Sequence, residues 1–147
     1  MINFFNFSKR NLSKIIIGKL IFICSAVSAY ADVENIDNQK LKALLLEGIS
    51  IVDIREEFEW RETGIIPNSH LITFFDSAGK YNLEKWLIEL KTTVKRYDPL
   101  IIICRSGRRS LIVADYLSSK ELFFKVYNVE AGINGWKSES MGVQSVQ

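Results

Sequence analysis

Cysteine, histidine and proline are scarce in this chain of 147 residues, which holds two, one and two of them, with eight glycines. Each shortage excludes something. The lone histidine, His70, stands at a strand start far from Cys104 in sequence and reads as structural. A Cys/His hydrolase, which needs an imidazole base beside its thiol, is thereby disfavoured. Sparse proline and glycine leave no linker-like stretch, and no repeat or low-complexity segment appears. An apolar fraction of 48% and a charged fraction of 24% are those of one ordinary globular domain.

Acidic residues are missing from the first 31 positions, which carry Lys9, Arg10, Lys14 and Lys19. An apolar run from Leu20 to Val27 follows, then Ala29-Tyr30-Ala31, a small-x-small pattern. This predicts a secretory signal peptide over 1–31, cleaved after Ala31, and a mature domain over 32–147 in the bacterial periplasm. Lys19 holds the apolar run to about half of what a spanning helix needs, so no stable membrane anchor is expected. Ile23 is too bulky to precede a lipoprotein cysteine at Cys24. The mature domain keeps fifteen basic against seventeen acidic residues, a net charge of −2, which makes nucleic acid a poor partner. Cys24 leaves with the leader. The remaining thiol, Cys104, cannot close an internal disulfide and is a candidate for reactivity, although it would stand exposed in an oxidising compartment.

Periodicity orders the mature chain. Asp37 caps an amphipathic helix of Leu41, Leu44 and Leu45 that ends near Gly48; Ile49–Ile54 reads as a buried strand; Glu56–Trp60 forms a helical turn. Pro67-Asn68 suits a tight turn and His70–Phe75 a second strand. Asn82 to about Arg96 is helical and closes at Asp98-Pro99; Leu100–Ile103 is the most strand-like run. A helix over Leu111–Ser119 follows, with Ile112, Val113, Tyr116 and Leu117 on its face, then a strand at Lys125–Val129 and a short helix from Gly132 to Trp136. Short apolar strands alternating with helices predict an α/β fold, a parallel sheet covered on both faces, with ligands at the strands' carboxyl ends. Trp60, Trp86 and Trp136 read as packing residues.

Cys104 lies at such an end. In Cys104-Arg105-Ser106-Gly107-Arg108-Arg109-Ser110 a strand delivers the thiol to a turn that opens a helix. Successive amides there form an anion-binding nest, Gly107 lets the backbone curl, and three arginines and the helix dipole add positive charge. Comparable settings lower a cysteine pKa from about 8.5 to roughly 3.5–7.5, so the thiolate needs no neighbouring base.

This loop resembles the active-site loop of the rhodanese-like domain family. Asp53-Ile54-Arg55, Glu59-Trp60 and Gly64-Ile65-Ile66-Pro67 resemble that family's upstream signature, and Tyr127–Gly132 with Trp136 its closing segment. The chain departs from the family at Ile65, at Asn68-Ser69 and at Glu130-Ala131, none of which bears on catalysis; Asn68 can take the left-handed conformation that a glycine would supply. The resemblance implies a central five-stranded parallel sheet with helices on both faces, and no metal or organic cofactor. It also implies a sulfurtransferase: Cys104 takes a sulfane sulfur from a small anion such as thiosulfate and hands it to cyanide, a thiol or a protein cysteine.

On that reading Cys104 is the nucleophile, and Arg105, Ser106, Gly107, Arg108, Arg109 and Ser110 form the substrate-binding loop. Arg109 orients the loop and binds the donor; Arg105 and Arg108 recruit it. Asp53 and Arg55 are supporting residues, read as a partly buried ion pair. Two alternatives remain: a persulfide carrier or binding module for a partner protein, and a cysteine phosphatase. The phosphatase is disfavoured because its arginine would follow the cysteine after five intervening residues, where Ser110 stands, whereas Arg109 follows Cys104 after only four.

Overall fold

The computed structural model describes residues 33–147 apart from Glu121 and Phe124. The leader expected over 1–31 lies outside the described residues. Among them, no helix is long and apolar enough to cross a membrane.

Five strands and five helices alternate along the chain: β1 Val33–Ile36, α1 Asn38–Leu46, β2 Ser50–Asp53, α2 Glu57–Thr63, β3 His70–Leu71, α3 Leu83–Thr93, β4 Leu100–Ile103, α4 Arg108–Ser119, β5 Val126–Val129 and α5 Gly132–Ser138. The strands form one sheet in the order β1-β5-β4-β2-β3, with every pairing parallel. The α/β architecture with a five-stranded parallel sheet is as expected.

The unbroken apolar run of β4 follows from burial on both faces. Leu100 and Ile102 join Val52, Ile54, Trp86, Leu90, Val113 and Leu117 on one side of the sheet. Ile101 and Ile103 join Leu41, Leu44, Ile51, Ile133 and Trp136 on the other. Continuing that alternation, Cys104 falls on the side of Leu100 and Ile102.

Helix starts match local chemistry. Asp37 accepts from the Lys40 amide at 2.8 Å and Asn82 from the Lys85 amide at 3.0 Å, each satisfying an orphan donor. Asn68 takes φ 65°, the left-handed corner that the Pro67-Asn68 turn requires.

Four details differ from the sequence reading. β1 was not foreseen: its sequence, VENI, has little apolar pattern, and its place is fixed by pairing with β5. The strand expected over His70–Phe75 pairs with β2 only at His70 and Leu71, after which single bonds from the Ile72 and Phe74 amides to Asp53 and Ile54 continue the edge. α4 starts at Arg108 rather than Leu111, so the loop's last arginines are helical. Its buried face is Ser110, Val113, Ala114, Leu117 and Ser118, while Ile112 is 61% exposed.

Candidate active site

The loop between β4 and α4 is held by its carbonyl groups. The Cys104 carbonyl accepts from the Ile133 amide at 2.9 Å, and the Arg105 carbonyl from the Asn134 amide at 3.1 Å. The first turn of α5 therefore draws both oxygens away from the loop's interior. Two glycines permit the close approach. A Cβ on Gly132 would lie 2.5 Å from the Cys104 carbonyl oxygen, and one on Gly107 would lie 1.9 Å from that of Glu130. Gly107 also takes φ 81°, which a side chain disfavours. Among the described residues, none of the amides from Arg105 to Ser110 donates to a backbone carbonyl. These donors, at the N-terminus of a twelve-residue helix, are available to an anion.

Cys104 is completely buried, which corrects the expectation of an exposed thiol. Buried Ser110 stands beside it, its Oγ 3.3 Å from Sγ and 3.0 Å from the Gly107 carbonyl oxygen. The hydroxyl can donate to either, and a thiolate is the stronger acceptor. Arg105, Ser106 and Arg108 are exposed; Gly107 is buried and Arg109 partly so.

Arg109 is committed to a partner that carried no assigned role in the sequence. Its two terminal nitrogens donate to Glu59 of α2 at 2.8 and 2.6 Å. Burial pushes the Glu59 carboxyl up, but hydrogen bonds from Arg109 and from the Glu56 backbone, with the charges of Arg109 and Arg55, outweigh it and hold it below its ordinary value. The Arg109 guanidinium is held above its own, by the Glu59 hydrogen bonds against burial and then by the charges of Glu59 and Cys104. Glu59 also closes a capping box, its Oε2 accepting from the Glu56 amide at 3.1 Å. That spacing was the available signal for its role.

Asp53 and Arg55 lie behind this pair. Both are fully buried, with Arg55 Nη2 2.6 Å from Asp53 Oδ2. Arg55 Nε also donates to the Asp53 carboxylate, Nη1 to Thr63 Oγ1 at 2.6 Å and to the Glu59 carbonyl, and Nη2 to the Gly64 carbonyl as well. The side-chain contacts of Arg55 tie the end of β2 to α2 and its C-terminal cap. The pair therefore supports the helix that supplies Glu59 and does not itself reach the loop.

The cavity over the loop encloses about 460 Å³, with Arg105, Arg108 and Arg109 on one side and Glu56, Phe58 and Glu59 on the other. Among the described residues, no three His, Cys, Asp or Glu side chains gather as a metal site.

A strand-loop-helix cradle of this kind has counterparts. A Bacillus subtilis protein named "Putative sulfurtransferase YtwF" is 34% identical over 94 residues, 64% of this chain and 79% of that one. The crystal structure of a rhodanese-like domain protein from Staphylococcus aureus is 28% identical with a TM-score of 0.56, over 76% of this chain and 99% of that one. A rhodanese-related protein from Thermoplasma volcanium matches at 27% identity and a TM-score of 0.58, over 76% and 97%. The family model for the rhodanese-like domain matches residues 37–139, from the cap of α1 to the end of α5 and with the whole cradle inside it, so the chain belongs to the rhodanese-like domain family.

Proposed function

We propose that this chain is a sulfurtransferase that carries sulfur as a persulfide on Cys104. Its Sγ thiolate attacks the outer sulfur of an anion such as thiosulfate. The donor's S–S bond breaks, and sulfite leaves with the electron pair. A thiophilic acceptor, whether cyanide, a thiol or a protein cysteine, then takes the outer sulfur and returns Cys104 as thiolate. The observation that carries this reading is the set of loop amides left without backbone acceptors in the turn that follows one buried sulfur. Such amides stabilise the thiolate, and then the persulfide anion, by preorganised dipoles. Exposed Arg105 and Arg108 recruit the donor, and Arg109, gripped by Glu59, orients the loop.

Complete burial of Cys104 favours a second reading, a persulfide carrier that discharges to one partner and turns over slowly with free acceptors. Residues 1–31 act in this proposal as a leader cleaved after Ala31, placing the domain in the periplasm.

Intact mass spectrometry after thiosulfate treatment tests the chemistry. Wild type gains one sulfur atom and Cys104→Ser does not; a wild type that never gains sulfur overturns the proposal. Steady turnover with thiosulfate and cyanide marks an enzyme, and a loaded protein that fails to turn over marks the carrier. p-Nitrophenyl phosphate is not hydrolysed. For protein recovered from an exporting host, the same spectrum reads the mature N-terminus.

A further inference from the structure

The rim of the cavity beside the Cys104 loop has a composition that thiosulfate and cyanide do not explain. Phe58, on α2, and Ile112, on α4, both line it and are 59% and 61% exposed. Each is turned outward from a helix whose buried faces are otherwise filled. Ile112 also borders a smaller apolar pocket of about 90 Å³, walled by Phe74, Phe75, Tyr81 and Tyr116, with Tyr81 itself 60% exposed. That volume suits one aliphatic side chain. On the other side of the cavity, Arg105 and Arg108 are exposed, and among the described residues neither pairs with a carboxylate. Glu56, partly buried, is the acidic group facing them across the opening besides Glu59, whose carboxylate Arg109 already occupies.

Resting on the sulfurtransferase reading, we propose that the acceptor is a protein cysteine flanked by an aliphatic residue and a carboxylate. The aliphatic side chain lies across Ile112 and Phe58 into the apolar pocket, and the carboxylate meets Arg105 or Arg108. A small acceptor would cover none of this apolar surface; a polypeptide covers it while its thiol descends to the loop. Charge complementarity favours an acidic partner, because the unpaired rim cations outnumber the rim's one free acid. In the transfer the acceptor thiol loses its proton to solvent, and its sulfur attacks the outer sulfur of the persulfide. The bond to Cys104 Sγ breaks with its electron pair remaining on Sγ, and the acceptor departs as a persulfide anion.

The test uses the full chain loaded with thiosulfate, freed of excess donor and mixed with one of two peptides of equal length, each with a single cysteine. One carries Leu before the cysteine and Glu after it; the other carries Ser and Gln at those positions. Transfer is read by mass spectrometry on both partners. Burial of one aliphatic side chain predicts about tenfold faster discharge to the Leu/Glu peptide. In Ile112→Ser and Phe58→Ser the ratio between the two peptides falls towards one, and in wild type it narrows as salt is raised. Loaded protein that discharges both peptides equally, or keeps its preference in both variants, overturns this inference alone. Protein that never takes up sulfur overturns the sulfurtransferase reading and this inference with it.

Discussion

Glu59 and Arg109, fifty residues apart in the chain, meet through two hydrogen bonds of 2.6 and 2.8 Å that tie α2 to the first turn of α4. The Glu59 side chain is 8% exposed and that of Arg109 31%, so the pair sits where solvent screening is incomplete. It fixes the arginine nearest the end of the loop without using the loop's own backbone.

Glu59→Gln keeps the shape of the side chain but removes the charge that holds Arg109. Misplacement of a loop group by about 1 Å can cost about 100-fold in rate, so sulfur loading from thiosulfate falls by about 10- to 100-fold. The loss lies in the maximal loading rate more than in the donor concentration needed, because Arg105 and Arg108 still recruit the anion. Loading by Glu59→Gln at the wild-type rate would remove the positioning role.

The same pair sets an acid limit. The folded-state value of Glu59 lies below its ordinary 4.5, so its contribution to stability is complete above about that pH. It is lost as pH falls through the lowered folded value. Arg109, raised from an already high value, does not titrate in this window. Denaturation midpoints followed from neutral pH to below pH 4 fall more steeply in wild type than in Glu59→Gln. Parallel curves for the two proteins would sink this assignment.

Arg55→Ala leaves Asp53 charged, buried and unpaired, and strips α2 of three tethers. Breaking a buried ion pair in this way costs about 3–5 kcal/mol. Removing both charges in Asp53→Leu/Arg55→Leu costs less than the sum of the single changes. Equilibrium urea unfolding measures both; additive losses would mean that the two side chains act independently.

Gly48 and Gly107 share a left-handed backbone, with φ of 80° and 81°, but only one of them is crowded. Alanine at Gly48 meets nothing within 4 Å and costs about 1 kcal/mol through φ alone. At Gly107 its Cβ would overlap the Glu130 carbonyl oxygen, so Gly107→Ala must displace β5's end or the loop. It loses sulfur loading as well as stability, whereas Gly48→Ala loads normally. Equal behaviour of the two variants would contradict the contact.

Much of this was legible from local signals. The run Leu100–Ile103 announces a doubly buried strand, Asp37 and Asn82 announce helix starts, and Cys104–Ser110 reads as a cradle because its residue types have few other uses together. What escaped depends on the distant chain. β1 is a strand because β5 lies beside it, not because Val33-Glu34-Asn35-Ile36 alternates. Ile112 breaks the expected helix face because the stripe that α4 packs on the sheet runs through Ser110, Val113, Ala114 and Leu117 and leaves that position outward. Burial of Cys104 follows from its place on the face of the sheet that α3 and α4 cover, and Glu59 gained its meaning only when α2 was set against α4. Sequence spacing contains none of these distances.

The sheet order also has a temporal side. β1, the earliest strand to leave the ribosome among those described, pairs only with β5, the latest, and α5, which seats the Cys104 loop, is made later still. A chain stopped before Gly132 has all five strands but lacks the Ile133 and Asn134 amides that hold the carbonyls of Cys104 and Arg105. The anchor of the loop is thus among the last parts of the described fold to be made.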